Sequence, residues 1–218
     1  MTGILFDYNG TMFPDGQLQD DAWRQYILEK TGHVATEDEL RRHMNGHSVE
    51  YILTYFWGKT FTREEAVVME EEKEIIYRKM CMESPIFHLA DGLPALLDTL
   101  QAKDVPMTIA TGCGLPNLKF YFRYMGLGKW FRIEDCVYND GVIPGKPAPD
   151  MFLRSAEKLG LNPRDCVVFE DSISGIEAAK AAGVKAVFRL GDTDPRDGIS
   201  TFRDFTDAET LLKLCGIE

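Results

Sequence analysis

The 218-residue sequence lacks the features of membrane, nucleic-acid-binding and disulfide-stabilised proteins. It carries 24 Lys and Arg residues against 35 Asp and Glu residues, so its formal net charge is −11. This acid excess argues against nucleic acid or an anionic membrane surface as a steady partner. No apolar run approaches bilayer length, and no basic-then-apolar leader precedes the first strand-like stretch. We therefore expect neither nucleic-acid binding nor membrane insertion.

Cysteine is scarce and odd in number. The five cysteines are Cys81, Cys113, Cys136, Cys166 and Cys215. They form no C-x-x-C pair, which argues against a disulfide framework and a structural zinc site, so a reducing cytoplasm is the expected location. Repeats and low-complexity tracts are also missing, and 44% of the residues are hydrophobic. The chain is long enough for one sizeable core plus a small accessory domain.

The first strand-like stretch ends in an acid. Residues 4–6 are Ile, Leu and Phe, a run too short for a helix, which predicts a buried strand. Asp7 follows at the carboxyl end, where open α/β sheets bind their ligands. An isolated Asp there could equally cap a turn, so its meaning depends on the residues that follow the later strands.

Two patterns divide the rest of the chain. Residues 18–82 carry only helical signals, and a capping box from Thr62 to Glu65 opens the last helix. The predicted helices are 18–30, 37–44, 48–57 and 62–81. From residue 85 strands alternate with helices, and the further strands are predicted at 106–110, 133–138, 166–169 and 184–188. This order predicts a doubly wound, Rossmann-like parallel α/β sheet in residues 1–14 and 84–218, with a helical bundle inserted at 15–83.

Polar side chains follow the predicted strands. Asp7, Thr111, Glu170 and Asp171 come directly after three of them, and Lys146 lies in the loop after a fourth. Because parallel strands bring their carboxyl ends to one sheet edge, these residues are expected to converge. Three carboxylates repel one another unless a cation holds them, and Mg²⁺ prefers oxygen ligands. A hydroxyl, a lysine and backbone N–H groups near glycines complete a cradle for a phosphoryl group.

Each of these residues also has a plain structural reading. Thr111 could satisfy a strand end, Lys146 could be solvated, and Asp171 or Ser172 could cap the next helix. These readings do not explain why the residues follow strands of one sheet in this order. A shared phosphate site is therefore favoured.

Four motifs carry a family resemblance. They are Phe6-Asp7-Tyr8-Asn9-Gly10-Thr11, Ala110-Thr111-Gly112, Gly145-Lys146-Pro147-Ala148-Pro149-Asp150 and Val168-Phe169-Glu170-Asp171-Ser172-Ile173-Ser174-Gly175-Ile176. In this order the chain resembles the haloacid dehalogenase-like hydrolase superfamily, in the helical-cap (C1) subgroup with β-phosphoglucomutase and small sugar-phosphate phosphatases. The inserted helices fall where that subgroup carries its cap, and the motifs span almost the whole chain.

The resemblance implies a Mg²⁺-dependent enzyme that hydrolyses phosphate monoesters of small metabolites, with sugar phosphates as the expected class. Asp7 would be the nucleophile that takes the phosphoryl group as an aspartyl phosphate. Thr111, Gly112 and Lys146 would bind that group, with Lys146 offsetting the charge on its oxygens.

The resemblance also implies a Mg²⁺ site and substrate contacts from the cap. The implied metal ligands are Asp7, Glu170, Asp171 and the backbone carbonyl of Asn9. Gly46 and His47 of the cap would contact the substrate, although His47 could equally be a polar residue at a helix start. A monomer is expected, because the cap must be free to move.

Asn9 departs from the family pattern. Most members carry Asp there, which protonates the leaving oxygen and then deprotonates the attacking water. A carboxamide can donate a hydrogen bond, but it relays no proton at neutral pH. Loss of acid–base help worth about 10²–10⁴-fold predicts a slow phosphatase that still binds metal and phosphate. A phosphate-binding protein that has lost turnover is the alternative that Asn9 leaves open.

A β-phosphoglucomutase-like isomerase is the other alternative, but several mutase residues are replaced. Gln19 stands where the mutase has a His, and Val49 stands where it has a phosphate-gripping Arg. Gly114 and Leu115 replace the Lys-Asn pair that mutases offer to a phosphate. Because a mutase must hold a doubly phosphorylated intermediate, a site with so few cations favours hydrolysis.

Overall fold

The computed structural model describes residues 1–44, 47–191 and 199–217. The chain forms two compact units, Met1–Pro14 together with His88–Glu218, and Asp15–Phe87. The chain leaves the first unit after its first strand and returns before the second strand. The second unit is therefore an insertion within the first.

The inserted unit is helical in the part that the structure describes. Its helices are α1 (Gly16–Thr31), α2 (Glu37–His43), α3 (Val49–Trp57) and α4 (Arg63–Glu83). Each of the last three begins at a Ser or Thr whose side chain accepts a backbone N–H, and the capping box from Thr62 to Glu65 is confirmed. The apolar faces meet in one core that includes Tyr26 and Leu53. The predicted inserted bundle is confirmed.

The other unit is built on a parallel sheet. Its described strands are β1 (Gly3–Phe6), β2 (Met107–Gly114), β3 (Val137–Asn139), β4 (Cys166–Glu170), β5 (Ala186–Leu190) and β6 (Ser200–Phe202). They lie in the order β3-β2-β1-β4-β5-β6, and every pairing is parallel. β1 and β4 are buried along their whole length, as their continuous apolar runs predict. The doubly wound α/β class is confirmed.

The helices of this unit's described part lie between its strands, except the last, which follows β6. They are α5 (Leu93–Ala102), α6 (Leu115–Tyr124), α7 (Asp150–Lys158), α8 (Ile173–Ala182) and α9 (Ala208–Cys215). α8 packs through small residues, because Gly175, Ala178 and Ala179 are buried on one side. Among the described residues no helix combines the length and the apolar character needed to cross a membrane.

The predicted strand at 133–138 is wrong over its first half. Ile133–Asp135 form a single 3₁₀ turn, and β3 begins at Val137. Glu134 is exposed there and pairs with Arg132 at 2.5 Å. A charged pair of this kind stays in solvent, because a strand buried on both faces would have to desolvate it.

Two further strand features differ from the sequence prediction. β2 runs on to Gly114, and its register against β3 shifts between Ala110 and Gly114, so Thr111 lies within the strand instead of after it. β6 carries no sequence signal, because it is three residues long and only Phe202 in it is buried. Both features depend on pairing with a neighbouring strand.

The strand order reverses between β1 and β4. The chain winds outward from β1 to β3 on one side and from β4 to β6 on the other. Phe6 and Phe169 are paired residues of β1 and β4, and their rings stack with centroids 5.3 Å apart. Asp7 and Glu170 come next along the two strands. Their side chains therefore start from neighbouring strand ends at the crevice where doubly wound sheets bind ligands.

Candidate active site

Asp7 lies directly after β1 and is 6% exposed. Its N–H donates to the carbonyl of Phe169 at 2.9 Å, which fixes the main chain beside β4. The Nζ of Lys146 donates to Oδ1 of Asp7 at 2.5 Å. Oδ2 of Asp7 is buried and has no hydrogen-bond partner among the described residues. A buried carboxylate oxygen in this state favours a cation or an electrophile beside it.

Glu170 has both carboxylate oxygens engaged. Oε1 accepts from Nζ of Lys146 at 2.6 Å. Oε2 accepts from the N–H groups of Asp171 and Ser172, both at 2.7 Å, and from the Ser172 hydroxyl at 3.0 Å. The residue is fully buried. Glu170 therefore fixes Lys146 in place and closes the turn from β4 into α8.

Asp171 completes an acidic cluster. One oxygen from each of Asp7, Glu170 and Asp171 lies within 4.8 Å of the others. Oδ1 of Asp171 accepts from the Thr11 hydroxyl at 2.9 Å. Gly10 has a φ of +85°, and a Cβ there would lie 2.2 Å from Oδ2 of Asp171. The turn after β1 can thus approach this acid because position 10 is glycine.

The charges of the cluster do not balance, since three carboxylates face one ammonium. Burial raises the pKa of Asp7 well above its usual range; Lys146 opposes the shift, and Glu170 and Asp171 add to it. Burial and the charge of Glu170 raise the pKa of Asp171 to about 6. Burial alone would lower the pKa of Lys146, but the charges of Asp7 and Glu170 raise it above its ordinary value. Burial is the main cause for the two acids, and the neighbouring carboxylates shift all three pKa values in the same upward direction.

The donor set fits a divalent cation. Its ligand atoms are carboxylate oxygens, which Mg²⁺ prefers, and a double positive charge balances three carboxylates and one ammonium. The buried Oδ2 of Asp7 supplies an oxygen with no donor from the described protein. The cluster predicted from the sequence is confirmed as a group of acids close enough to share one ion.

Gly175 leaves the room that Glu170 occupies. A Cβ at Gly175 would lie 1.6 Å from Oε1 of Glu170. Because Lys146, Ser172 and the Asp171 N–H hold that carboxylate, it cannot rotate away without losing hydrogen bonds. We expect Gly175→Ala to lower the free energy of unfolding by about 1–3 kcal/mol, which urea denaturation measures.

The matched control is Gly128→Ala. Gly128 lies in the 3₁₀ turn Leu127–Lys129, and a Cβ there meets open space. The Gly128→Ala variant should unfold at the same urea concentration as the parent or at a slightly higher one, since Ala restricts the unfolded chain more than Gly. If the two variants prove equally stable, Glu170 is not held as tightly as its hydrogen bonds indicate.

Asn9 is held by polar neighbours in the α/β unit. Its Nδ2 donates to the Tyr121 hydroxyl at 2.9 Å. The Thr111 hydroxyl lies 3.5 Å from Oδ1 of Asn9 and accepts the Cys113 N–H at 3.2 Å. Tyr121 is fully buried and stacks on Tyr8, with ring centroids 4.3 Å apart. The side chain of Asn9 therefore has a defined orientation between α6 and β2.

The structure places the other site residues named from the sequence as follows. Gly112 follows Thr111 within β2 and is exposed. His47 belongs to the inserted unit, where its ring stacks on Tyr51 with centroids 4.1 Å apart. Gly46 lies outside the described residues. Asp7, Lys146, Glu170 and Asp171 are brought together, whereas Thr111 contacts Asn9.

Three residues that contact the candidate site were not predicted from the sequence to do so. Ser172 is confirmed as the N-cap of α8, but it also donates to Glu170. Thr11 binds Asp171, and its place at the end of the first motif was the available signal. Tyr121 contacts Asn9 from the middle of α6, where an aromatic residue at helical spacing indicates core packing and nothing more.

Comparison with known proteins agrees with this geometry. A model of haloacid dehalogenase-like hydrolases matches residues 1–183. A phosphorylated carbohydrates phosphatase of Thermotoga maritima is 29% identical over 191 residues, which cover 86% of this chain and 84% of that protein. Fructose-1-phosphate phosphatase of Escherichia coli is 30% identical over 189 residues, covering 85% of this chain and 94% of that protein.

A solved structure agrees over the full length. The crystal structure of a haloacid dehalogenase (HAD) hydrolase, family IA, variant 3, from Entamoeba histolytica has a TM-score of 0.90 and 32% identity, covering 99% of this chain and 100% of that one. Fold, acidic cluster and sequence similarity therefore lead to one assignment. The chain belongs to the haloacid dehalogenase-like hydrolases, in the family IA group related to β-phosphoglucomutase and to sugar-phosphate phosphatases.

Proposed function

We propose that this protein is a Mg²⁺-dependent phosphomonoester hydrolase that acts on a small phosphorylated metabolite, with sugar phosphates as the first class to test. One observation carries the proposal above the others. Asp7 presents a buried carboxylate with Lys146 on one oxygen and no described donor on the other. That is the arrangement of a nucleophile beside a charge-compensating lysine and a cation.

The names of the relatives support the substrate class. One is a phosphatase of phosphorylated carbohydrates, and another is a fructose-1-phosphate phosphatase. The negative charge of −11 makes local attraction necessary for an anionic substrate. In this site Lys146 provides it, and a cation held by the acidic cluster would add to it.

The first chemical step falls to Asp7. A carboxylate oxygen attacks phosphorus, the bond from phosphorus to the alcohol oxygen breaks, and the electron pair leaves with that oxygen. The product is an aspartyl phosphate on Asp7 and an alcohol that takes its proton from water. Water then attacks the aspartyl phosphate, which releases inorganic phosphate and restores Asp7. Lys146 offsets the charge that develops on the phosphoryl oxygens.

The acidic residues divide the remaining work. Asp7, Asp171 and the backbone carbonyl of Asn9 would hold Mg²⁺, while Glu170, whose oxygens already accept hydrogen bonds, positions Lys146. When bound, the metal supplies positive charge that brings the phosphate dianion and the carboxylate together. Glu170 thus contributes to the site mainly by orientation.

Thr111 and Gly112, which lie in the last part of β2, would bind the transferring phosphoryl group, and the contact of Thr111 with Asn9 supports this role. Residues 15–83 would act as the cap that supplies specificity, with Gly46 and His47 as substrate contacts. Residues 1–14 and 84–218 would carry the chemistry.

Asn9 supports a second candidate, a phosphate-binding protein without turnover. Its carboxamide donates to Tyr121 and offers no proton for a leaving oxygen. Slow hydrolysis remains the better reading, because Asp7, Lys146 and the acidic cluster are all present. The two candidates differ in whether any phosphate is released.

The decisive experiment is a phosphate-release assay with a panel of sugar phosphates and an activated aryl phosphate. We expect release with Mg²⁺ and loss of release with excess EDTA, restored by Mg²⁺ alone. The same reactions analysed for isomerised sugar phosphate test the mutase alternative. Metal-independent release, or isomerisation without release, contradicts the proposed hydrolase, and binding of phosphate without any release selects the binding protein.

A further inference from the structure

The outward face of α4 carries apolar residues where a surface helix is usually polar. Val68, Ile75 and Met82 are 61%, 58% and 51% exposed. They are seven residues apart, so they form one ridge along the helix. The side chains that α4 buries lie on the opposite side of the helix: Ala66, Lys73, Tyr77 and Cys81. The ridge therefore occupies the position that should be most polar.

Helix formation does not explain this ridge. Val and Ile are weaker helix formers than the Glu and Lys residues around them. The aliphatic side chains Val68 and Ile75 are more exposed than buried, so they add little to the core of the inserted unit. Exposed apolar residues aligned along one face of a helix, at a spacing of two turns and with charged residues between them, are typical of a helix that pairs with another helix.

Charges beside the ridge are segregated along the helix. Glu71 and Glu72 lie before Ile75, and Arg78 and Lys79 lie after it. The turn of α4 before Ile75 is thus acidic, and the turn after Ile75 is basic. Such a helix is complementary to a second copy of itself running in the opposite direction.

We propose that α4 pairs with α4 of a second copy of this chain, antiparallel and about a two-fold axis at Ile75. Positions equidistant from Ile75 then face each other, so Val68 meets Met82 of the second copy and the two Ile75 side chains meet at the axis. In the same register Glu71 faces Lys79 of the second copy. One register therefore satisfies both the apolar ridge and the flanking charges, as an isologous interface requires.

The flanking charges are already partly compensated within one chain. Glu71 pairs with Arg78 at 2.5 Å, and Glu72 pairs with Lys30 at 2.6 Å. The charges therefore add little affinity, and their role is to determine which positions of the two helices face each other. The apolar ridge provides most of the attraction. A single helix pair lies at the small end of specific interfaces, so the expected dissociation constant is on the order of micromolar.

This dimer departs from the monomer expected from the sequence. It uses residues of the inserted unit alone and does not depend on the proposed phosphatase activity. Sedimentation velocity of the full chain should show a mass that rises with concentration from 24.7 kDa towards twice that value. A mass that stays at one chain up to about 200 µM overturns the proposal.

A charge at the axis is the sharpest single change. Ile75→Glu places two carboxylates face to face and should weaken association at least about 30-fold, because like charges in an apolar contact are costly. The control is Val34→Glu, since Val34 is 71% exposed in the same unit but lies between α1 and α2. The control should associate as the parent does. Equal weakening in both variants, or none in Ile75→Glu, overturns the α4 interface.

Mixed variants test the register. Lys79→Glu alone places two acids opposite each other, and Glu71→Lys alone places two bases opposite each other, so each variant should associate more weakly than the parent. Mixed in equal amounts, the two variants have opposite charges at both contacts and should form heterodimers with near-parent affinity. Failure of the mixture to associate overturns the antiparallel register about Ile75.

Discussion

Asn9→Asp should raise the rate of phosphate release by about 10²–10⁴-fold, the usual contribution of a general acid–base. The change adds a group that can give a proton to the leaving oxygen and later take one from water. The surroundings accept it, since the Tyr121 hydroxyl that now accepts from Nδ2 of Asn9 can donate to a carboxylate instead. Steady-state phosphate release from the best substrate of the panel measures the gain.

Two controls isolate the effect of position 9. Asn162→Asp makes the same chemical change at an exposed N-cap, where Asp caps as well as Asn, and should leave the rate unchanged. The leaving group supplies the second control. Rates of the parent should fall steeply as the leaving alcohol becomes more basic, whereas rates of the variant should depend on it weakly. A gain below about tenfold, with the same steep dependence, would mean that Asn9 does not limit turnover.

Asp7→Asn should abolish turnover altogether. Removal of a covalent nucleophile can cost about 10⁶-fold. The neighbouring carboxylates of Glu170 and Asp171 are held by Lys146 and Thr11, so we do not expect them to take over the attack. The amide oxygen can still accept from Lys146, so the fold should survive. Because the parent is expected to be slow, the change is best made together with Asn9→Asp, where the assay has the wider range.

The control for that change is Asp104→Asn. Asp104 is exposed after α5 with a φ of 52°, a conformation that Asn also tolerates. Its rate and unfolding midpoint should match those of the parent. If Asp7→Asn retains more than about one-tenth of the rate while remaining folded, the phosphoryl group is not carried on Asp7.

The class of the fold was predictable because its signals are local and repeated. Apolar runs at residues 4–6 and 166–169 are buried on both faces, and helical patterns between strands require parallel pairing. Parallel pairing then brings strand ends together, so Asp7 and Asp171 could be placed in one cluster from sequence order. Topology alone carried that inference.

The finer features depend on contacts that sequence order does not determine. Ile133, Cys136 and Val137 are the apolar residues that predicted a strand over 133–138, yet Glu134 stays in solvent and pairs with Arg132. The sequence order placed Glu170 in the acidic cluster. It did not reveal that both carboxylate oxygens of Glu170 accept hydrogen bonds, one from Lys146 and the other from the residues before α8. Tyr121 reaches Asn9 across more than a hundred residues. Such partners follow from packing and not from spacing.

The hydrogen bonds of Asn9 and Gly10 also bear on deamidation, a slow chemical change of the Asn9 side chain. An asparagine followed by glycine can deamidate: the next backbone nitrogen attacks the side-chain carbon, ammonia leaves, and water opens the resulting ring to aspartate or isoaspartate. Here the carboxamide is bound to Tyr121, and the Gly10 N–H is occupied by the carbonyl of Phe13 at 2.8 Å. We therefore expect the folded protein to lose the Asn9 amide more slowly than unfolded material, in which neither hydrogen bond is present.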